Sequence, residues 1–189
     1  MLDRHLNWNC YITELCKKIS SQIGIIRRLK CLPMKVSRML YFSLIHSRLS
    51  YCVGIWGSAN KTMIDNIERL QRISLKVTHK LSIRFPSKLL FSKYCPKILR
   101  VKGMYHYSVC KFVYSCTHNL CHHNLDFRVP TNRYPTSCST LLTVPLTLTG
   151  RGISFSGPFS FNKLPKVLRE IQSLNQFCRL LKINLSLNS

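Results

Sequence analysis

The chain has 189 residues, with 29 Lys and Arg against 6 Asp and Glu, a formal net charge of +23. Hydrophobic residues make up 46%, enough to build a core, which excludes a wholly disordered chain. The excess positive charge repels itself and calls for a polyanion, of which nucleic acid is the usual one.

Residues 10–30 read as the first helix. Ile12, Leu15, Cys16, Ile19, Ile23, Ile26 and Leu29 recur at steps of three and four and form one apolar stripe. Lys17, Lys18, Arg27, Arg28 and Lys30 lie mostly off that stripe, and the last three suit the negative end of the helix dipole. Pro33 fits the start of a second helix over 34–49. Met39, Leu40, Leu44 and Ile45 are its expected apolar face, with Lys35, Arg38 and Arg48 around it. An aromatic junction, Tyr51 to Gly57, follows. Ser58 is the expected N-cap of a third helix reaching Lys80. Ile64, Ile67, Leu70 and the stretch from Ile73 to Val77 are its apolar side, and Arg69, Arg72, Lys76 and Lys80 make it basic. A short helix over 86–93 and a longer one over 99–117 complete an all-helical stretch.

The pattern then changes. Residues 121–165 hold Pro130, Pro135, Pro145, Pro158 and Pro165 together with Gly150, Gly152 and Gly157, so no helix is expected there. Residues 140–149 are rich in Leu, Val and Thr, and Pro145 limits them to an edge strand or an extended segment. A last helix is expected from Ser173 to Leu185, with Leu174, Phe177, Leu180, Leu181 and Leu185 as its stripe.

No window of about 18 apolar residues occurs, so no membrane span is expected. The first residues do not read as a signal peptide, and the expectation is a nuclear or cytoplasmic protein that is not secreted. The ten cysteines contain no Cys-x-x-Cys pair, which favours reduced thiols packed as small hydrophobes.

Several segments, in order, resemble the non-LTR (LINE-type, Jockey/CR1-like) retrotransposon reverse transcriptases. Asp3-Arg4-His5-Leu6-Asn7-Trp8 is similar to the segment that closes their palm. Tyr51-Cys52-Val53-Gly54-Ile55-Trp56-Gly57 resembles their Tyr-x-x-x-x-Trp-Gly, and Leu70-Gln71-Arg72 their Leu-Gln-Arg step. Near the end, Gly157-Pro158 and Phe161-Asn162-Lys163-Leu164-Pro165 resemble Gly-Pro followed by Trp-Asn-x-Leu-Pro. The chain departs from that pattern in three places. Phe161 replaces Trp, Tyr134-Pro135-Thr136-Ser137 stands for Tyr-Asn-Thr-Arg, and Cys121-His122-His123 replaces a Leu-Pro region.

The resemblance implies a mainly α fold: a helical thumb-like bundle, then an irregular, β-poor segment and a terminal helix. Residues 1–9 are the expected remnant of the palm end and 10–117 a thumb-like and post-thumb unit. Residues 118–165 are an irregular connector and 166–189 carry the C-terminal helix. The implied parent activity is RNA-directed DNA synthesis, with fingers, palm and catalytic aspartates expected before Met1. The six acids present, Asp3, Glu14, Asp65, Glu68, Asp126 and Glu170, form no Asp-Asp or Asp-x-Asp pair to hold Mg²⁺, so this chain is expected to be no enzyme by itself.

The candidate nucleic-acid-binding residues are Lys17, Lys18, Arg27, Arg28, Lys30, Lys35, Arg38, Arg72 and Lys76. Neighbouring cations can take adjacent phosphates, and Arg can bind them bidentately. The alternative for each is a solvated helix face. The expected partners are RNA or an RNA–DNA duplex, and the missing palm and fingers. A membrane is not expected, nor is any cofactor. Cys110, Cys116, His118, Cys121, His122 and His123 carry zinc-ligand chemistry at a spacing that fits no known finger, and a Cys–His hydrolase lacks any signature. Other readings are a domesticated interaction protein and a non-functional gene-model fragment.

Overall fold

The computed structural model describes residues 8–29, 31–118, 120 and 153–187. These residues are mainly α, and no strand occurs among them. They form two compact units that divide between Met104 and Tyr105.

In the first unit, α1 (Asn9–Arg28) buries Ile12, Leu15, Ile19, Ile23 and Ile26, the expected stripe, while Leu29 stays exposed. One polar residue, Gln22, is buried among them. After a turn at Pro33, helical backbone runs from Met34 to Ser50 as α2 (Met34–Leu40), a π-helical stretch (Tyr41–His46) and α3 (Ser47–Ser50). The buried line here is Ser37, Tyr41, Ile45, Leu49 and Val53. Of the expected face, Ile45 is buried, Leu40 and Leu44 are half-buried, and Met39 is 63% exposed.

The π turns are the reason. In an α-helix, residues spaced by four drift steadily around the axis. A π stretch, bonded i to i+5, turns less per residue and rotates the line back. Alternating the two keeps a strict spacing of four on one face. The short α4 (Val53–Trp56) follows Cys52, a residue at φ 50° in the left-handed region. Trp56 is 1% exposed, and its indole N–H donates to the Tyr51 carbonyl at 2.8 Å.

Helix α5 (Lys61–Thr78) packs along α1. Its N-cap is Asn60, not Ser58, whose hydroxyl donates back to the Ile55 carbonyl at 3.1 Å. Ile64, Ile67 and Leu75 are buried as expected, but so are Glu68, Gln71, Ser74, Lys76 and Thr78. Glu68, Gln71 and Lys76 receive the following chain, while Ser74 and Thr78 donate back to carbonyls of α5 itself. After α6 (Ser87–Leu89) and a π turn (Leu90–Tyr94), the segment 98–102 lies against α5. There Gln71 donates to the Leu99 carbonyl (2.9 Å) and accepts from the Val101 N–H (3.1 Å). Glu68 accepts from the Lys102 N–H (3.2 Å). Val101 and Lys102 begin α7 (Val101–Thr117), so α5 caps the first turn of a helix distant in sequence. A carboxylate is favoured there by the helix dipole as well.

The second unit holds the rest of α7 with α8 (Ile153–Asn162), α9 (Lys166–Arg169) and α10 (Leu174–Leu187). Cys110, Val113 and Tyr114 of α7 pack with Phe161, Leu164, Leu168, Phe177 and Leu181. Tyr114 stacks on Phe177 (4.2 Å between ring centres), and its hydroxyl donates to the Ile171 carbonyl at 2.7 Å. The stripe expected for the last helix is found: Phe177 and Leu181 are buried, with Leu174, Leu180 and Leu185 packed beside them.

Helix α8 corrects the expectation of no helix over 121–165. Gly157 and Pro158 sit inside it, both buried. Proline there removes one backbone N–H from the ladder, while Phe161 of the same helix is buried in the core and favours keeping it in place. The extended segment expected over 140–149 lies outside the described residues.

Candidate nucleic-acid interface

The basic residues of the first unit are placed by three helices. Tyr11, near the start of α1, lies 6.4 Å from Trp56, just before α5. At the other end, Arg38 of α2 lies close enough to His79 and Cys95 to shift both electrostatically. Helices α1 and α5 therefore run side by side in the same direction, and their C-terminal ends meet α2 at one end of the unit. Arg27 and Arg28 (last turn of α1), Lys35 and Arg38 (α2) and Lys80 (past α5) are all exposed. Cations at helix C-termini offset the negative ends of the dipoles.

Carboxylates are engaged elsewhere. Glu14 pairs with Lys18. Asp65 takes the Lys102 ammonium at 2.7 Å, and Glu68 reaches Arg72 at 3.9 Å. These partners hold the Glu14 and Asp65 carboxyls below the usual carboxylate range through hydrogen bonds to Lys18 and Lys102. Among the described residues no carboxylate pairs with Arg27, Arg28, Lys35 or Arg38.

The predicted site residues thus separate. Arg27 and Arg28 end α1 and Lys35 and Arg38 lie on α2, the next helix in the chain, all four exposed. Lys17 and Lys18 are exposed in the middle of α1, with Lys18 held by Glu14. Arg72 is half-buried beside Glu68. Lys76 is 8% exposed and donates its ammonium to the Ile83 carbonyl at 2.7 Å, which ties the chain after α5 back onto that helix. It leaves the candidate surface, because periodicity places a lysine on a helix but not the loop that folds over it. Lys30 lies outside the described residues.

A second feature was not among those residues. A cleft of about 280 Å³ opens between α1 and the Ser47–Tyr51 stretch, lined by Tyr11, Glu14, Leu15 and Lys18 on one side and Ser47, Arg48 and Tyr51 on the other. Arg48 is fixed from behind by buried Gln22. With its amide oriented to match its neighbours, Gln22 accepts from Arg48 Nε (2.8 Å) and Nη2 (3.0 Å) and donates to the Leu44 carbonyl (2.7 Å). A lone Gln on an apolar stripe was the available sequence signal for this.

Cys95 and His79 stand 3.2 Å apart, the geometry of a Cys–His pair. Burial pushes the Cys95 thiol up to about 11 and pulls His79 down, so both stay neutral and the thiolate needed for nucleophilic attack is suppressed. Cys110 is likewise a core residue, pushed up to about 12 by burial. Cys121, His122 and His123 lie outside the described residues, among which no group of metal-ligating side chains gathers. No described helix is long and apolar enough to cross a membrane.

Comparison with protein-family models, with curated proteins and with solved structures finds no match.

Proposed function

We propose that the chain is the thumb and following region of a non-LTR retrotransposon reverse transcriptase, which grips RNA or an RNA–DNA duplex through its phosphates. The observation that carries this reading is the basic end of the first unit. Arg27, Arg28, Lys35 and Arg38 are all exposed, while the described carboxylates of that unit face other cations. Unneutralised cations on successive helices can contact backbone phosphates and read no sequence. The mainly α fold suits the resemblance carried by Tyr51 to Gly57 and by Phe161 to Pro165. Polymerase chemistry belongs in this reading to a palm, since the chain has no adjacent aspartates for Mg²⁺. The proposed setting is nuclear or cytoplasmic, where such a substrate is met.

The test is binding to a duplex as a function of salt. Neutralisation of about five phosphates predicts that log K falls with log salt at a slope near −4.5. Affinity independent of salt, or none at low salt, overturns the reading. A second reading, a protein-interaction module, draws on exposed apolar side chains such as Met39 (63%) and Phe42 (41%). It predicts that neutralising Arg27 and Arg28 leaves nucleic-acid retention unchanged.

A further inference from the structure

The cleft between α1 and Tyr51 differs in kind from the basic end. Its guanidinium is exposed but held by a buried side chain. The Gln22 oxygen takes the Nε–H and one Nη2–H of Arg48, which leaves the other Nη2 donor and the two Nη1 donors for a ligand. Beside it stands Tyr51, 68% exposed, on a backbone that is held firmly. Its N–H donates to Ser47 (3.1 Å), and its carbonyl accepts from the buried Trp56 indole (2.8 Å). Tyr11 lines the opposite wall near Tyr51, and Leu15 supplies an apolar floor. Lys18 sits at the rim, engaged by Glu14.

A positioned guanidinium next to an exposed phenol ring is a donor for phosphate beside a platform for a base. The volume of about 280 Å³ falls at the low end for small-molecule sites, where about 300 to 1,000 Å³ is usual. That volume suits one nucleotide and not a duplex. We propose that this cleft takes a single unpaired nucleotide of a nucleic-acid strand, its base stacked on Tyr51 and its phosphate on Arg48. The proposal rests on the nucleic-acid reading above and adds to it a site for the unpaired end of a duplex. Stacking on an aromatic ring tolerates any base, so the cleft confers a preference for single-stranded structure and not for sequence.

The test compares two oligonucleotides by fluorescence anisotropy, a blunt RNA–DNA duplex and the same duplex with a short unpaired overhang. The overhang is expected to tighten binding by roughly tenfold, the value of one stacked base. Tyr51→Ala should abolish that gain and leave blunt-duplex affinity unchanged. Tyr51→Phe keeps the ring and should keep the gain. Gln22→Leu removes the support of Arg48 and should reduce it. Far-ultraviolet circular dichroism and tryptophan emission check that each variant folds, and Tyr51→Ala, at an exposed position, serves if Gln22→Leu does not. If the overhang adds nothing, or if Tyr51→Ala weakens both ligands equally, this proposal falls while duplex gripping stands. If neither oligonucleotide binds, both fall.

Discussion

Lys80 ends α5 at φ 56°, in the left-handed region that disfavours a Cβ. It stands at the turn of a Schellman-type cap, in which the Leu81 N–H reaches back to the Lys76 carbonyl at 2.8 Å and the Lys80 N–H to Val77 at 3.0 Å. Glycine relieves the strain, so Lys80→Gly should stabilise the first unit by about 0.5 to 1 kcal/mol. Trp8 and Trp56 are the two tryptophans and both lie in that unit, so a urea titration followed by their emission reads it directly. One position earlier, His79 is pulled down by burial and by Arg38. A histidine that resists protonation in the fold takes its proton first in the unfolded chain, near pH ~6.5. Its contribution is therefore complete above about pH 6.5 and is lost as pH falls from there toward the native value. The first-unit melting temperature should drop between pH 7 and 5.5, and in His79→Gln that drop should be smaller. An equal pH dependence in the variant would show that His79 is not its source.

At the scale of elements, the first turn of α7 takes hydrogen-bond partners from α5. Gln71 satisfies both the Leu99 carbonyl and the Val101 N–H at a fully buried position. Gln71→Leu leaves both without a partner, and each orphaned buried group costs about 1 to 3 kcal/mol. The expected destabilisation is about 3 kcal/mol, read by urea denaturation of the first unit. The Leu70-Gln71-Arg72 step was legible in the sequence as a motif. Its physical role was not, because the groups it serves lie some 28 to 30 positions further along the chain. The same limit explains α2 and α3. Sequence periodicity assumes one turn angle, and the π stretch Tyr41–His46 changes it, which keeps Tyr41, Ile45 and Leu49 on one buried line. Helix α8 shows the opposite case, in which Gly157 and Pro158 signal a break and burial of Phe161 overrides them.

For the whole molecule the charge of +23 is the property most exposed to experiment. Neutralising Arg27, Arg28, Lys35 and Arg38 together should reduce the magnitude of the salt slope by about 0.9 for each phosphate left without its cation, bringing −4.5 toward about −1. Neutralising Lys76 instead should act on stability, because its ammonium holds the Ile83 carbonyl inside the fold. Duplex affinity measured from low to high salt separates the two. An Arg27/Arg28/Lys35/Arg38 variant with an unchanged slope would remove the basic end from the interface.

The sequence alone determined the helical class, the apolar stripes of α1 and α10, the excess of cations and the lack of paired aspartates. All of these follow from residue identity and local spacing, which a linear reading contains. Only the tertiary structure decided which cations face solvent together. It turned Lys76 inward and set Arg48 on Gln22 beside Tyr51. A side chain's partner is set by which segment folds over it, and that depends on packing between residues far apart in the chain.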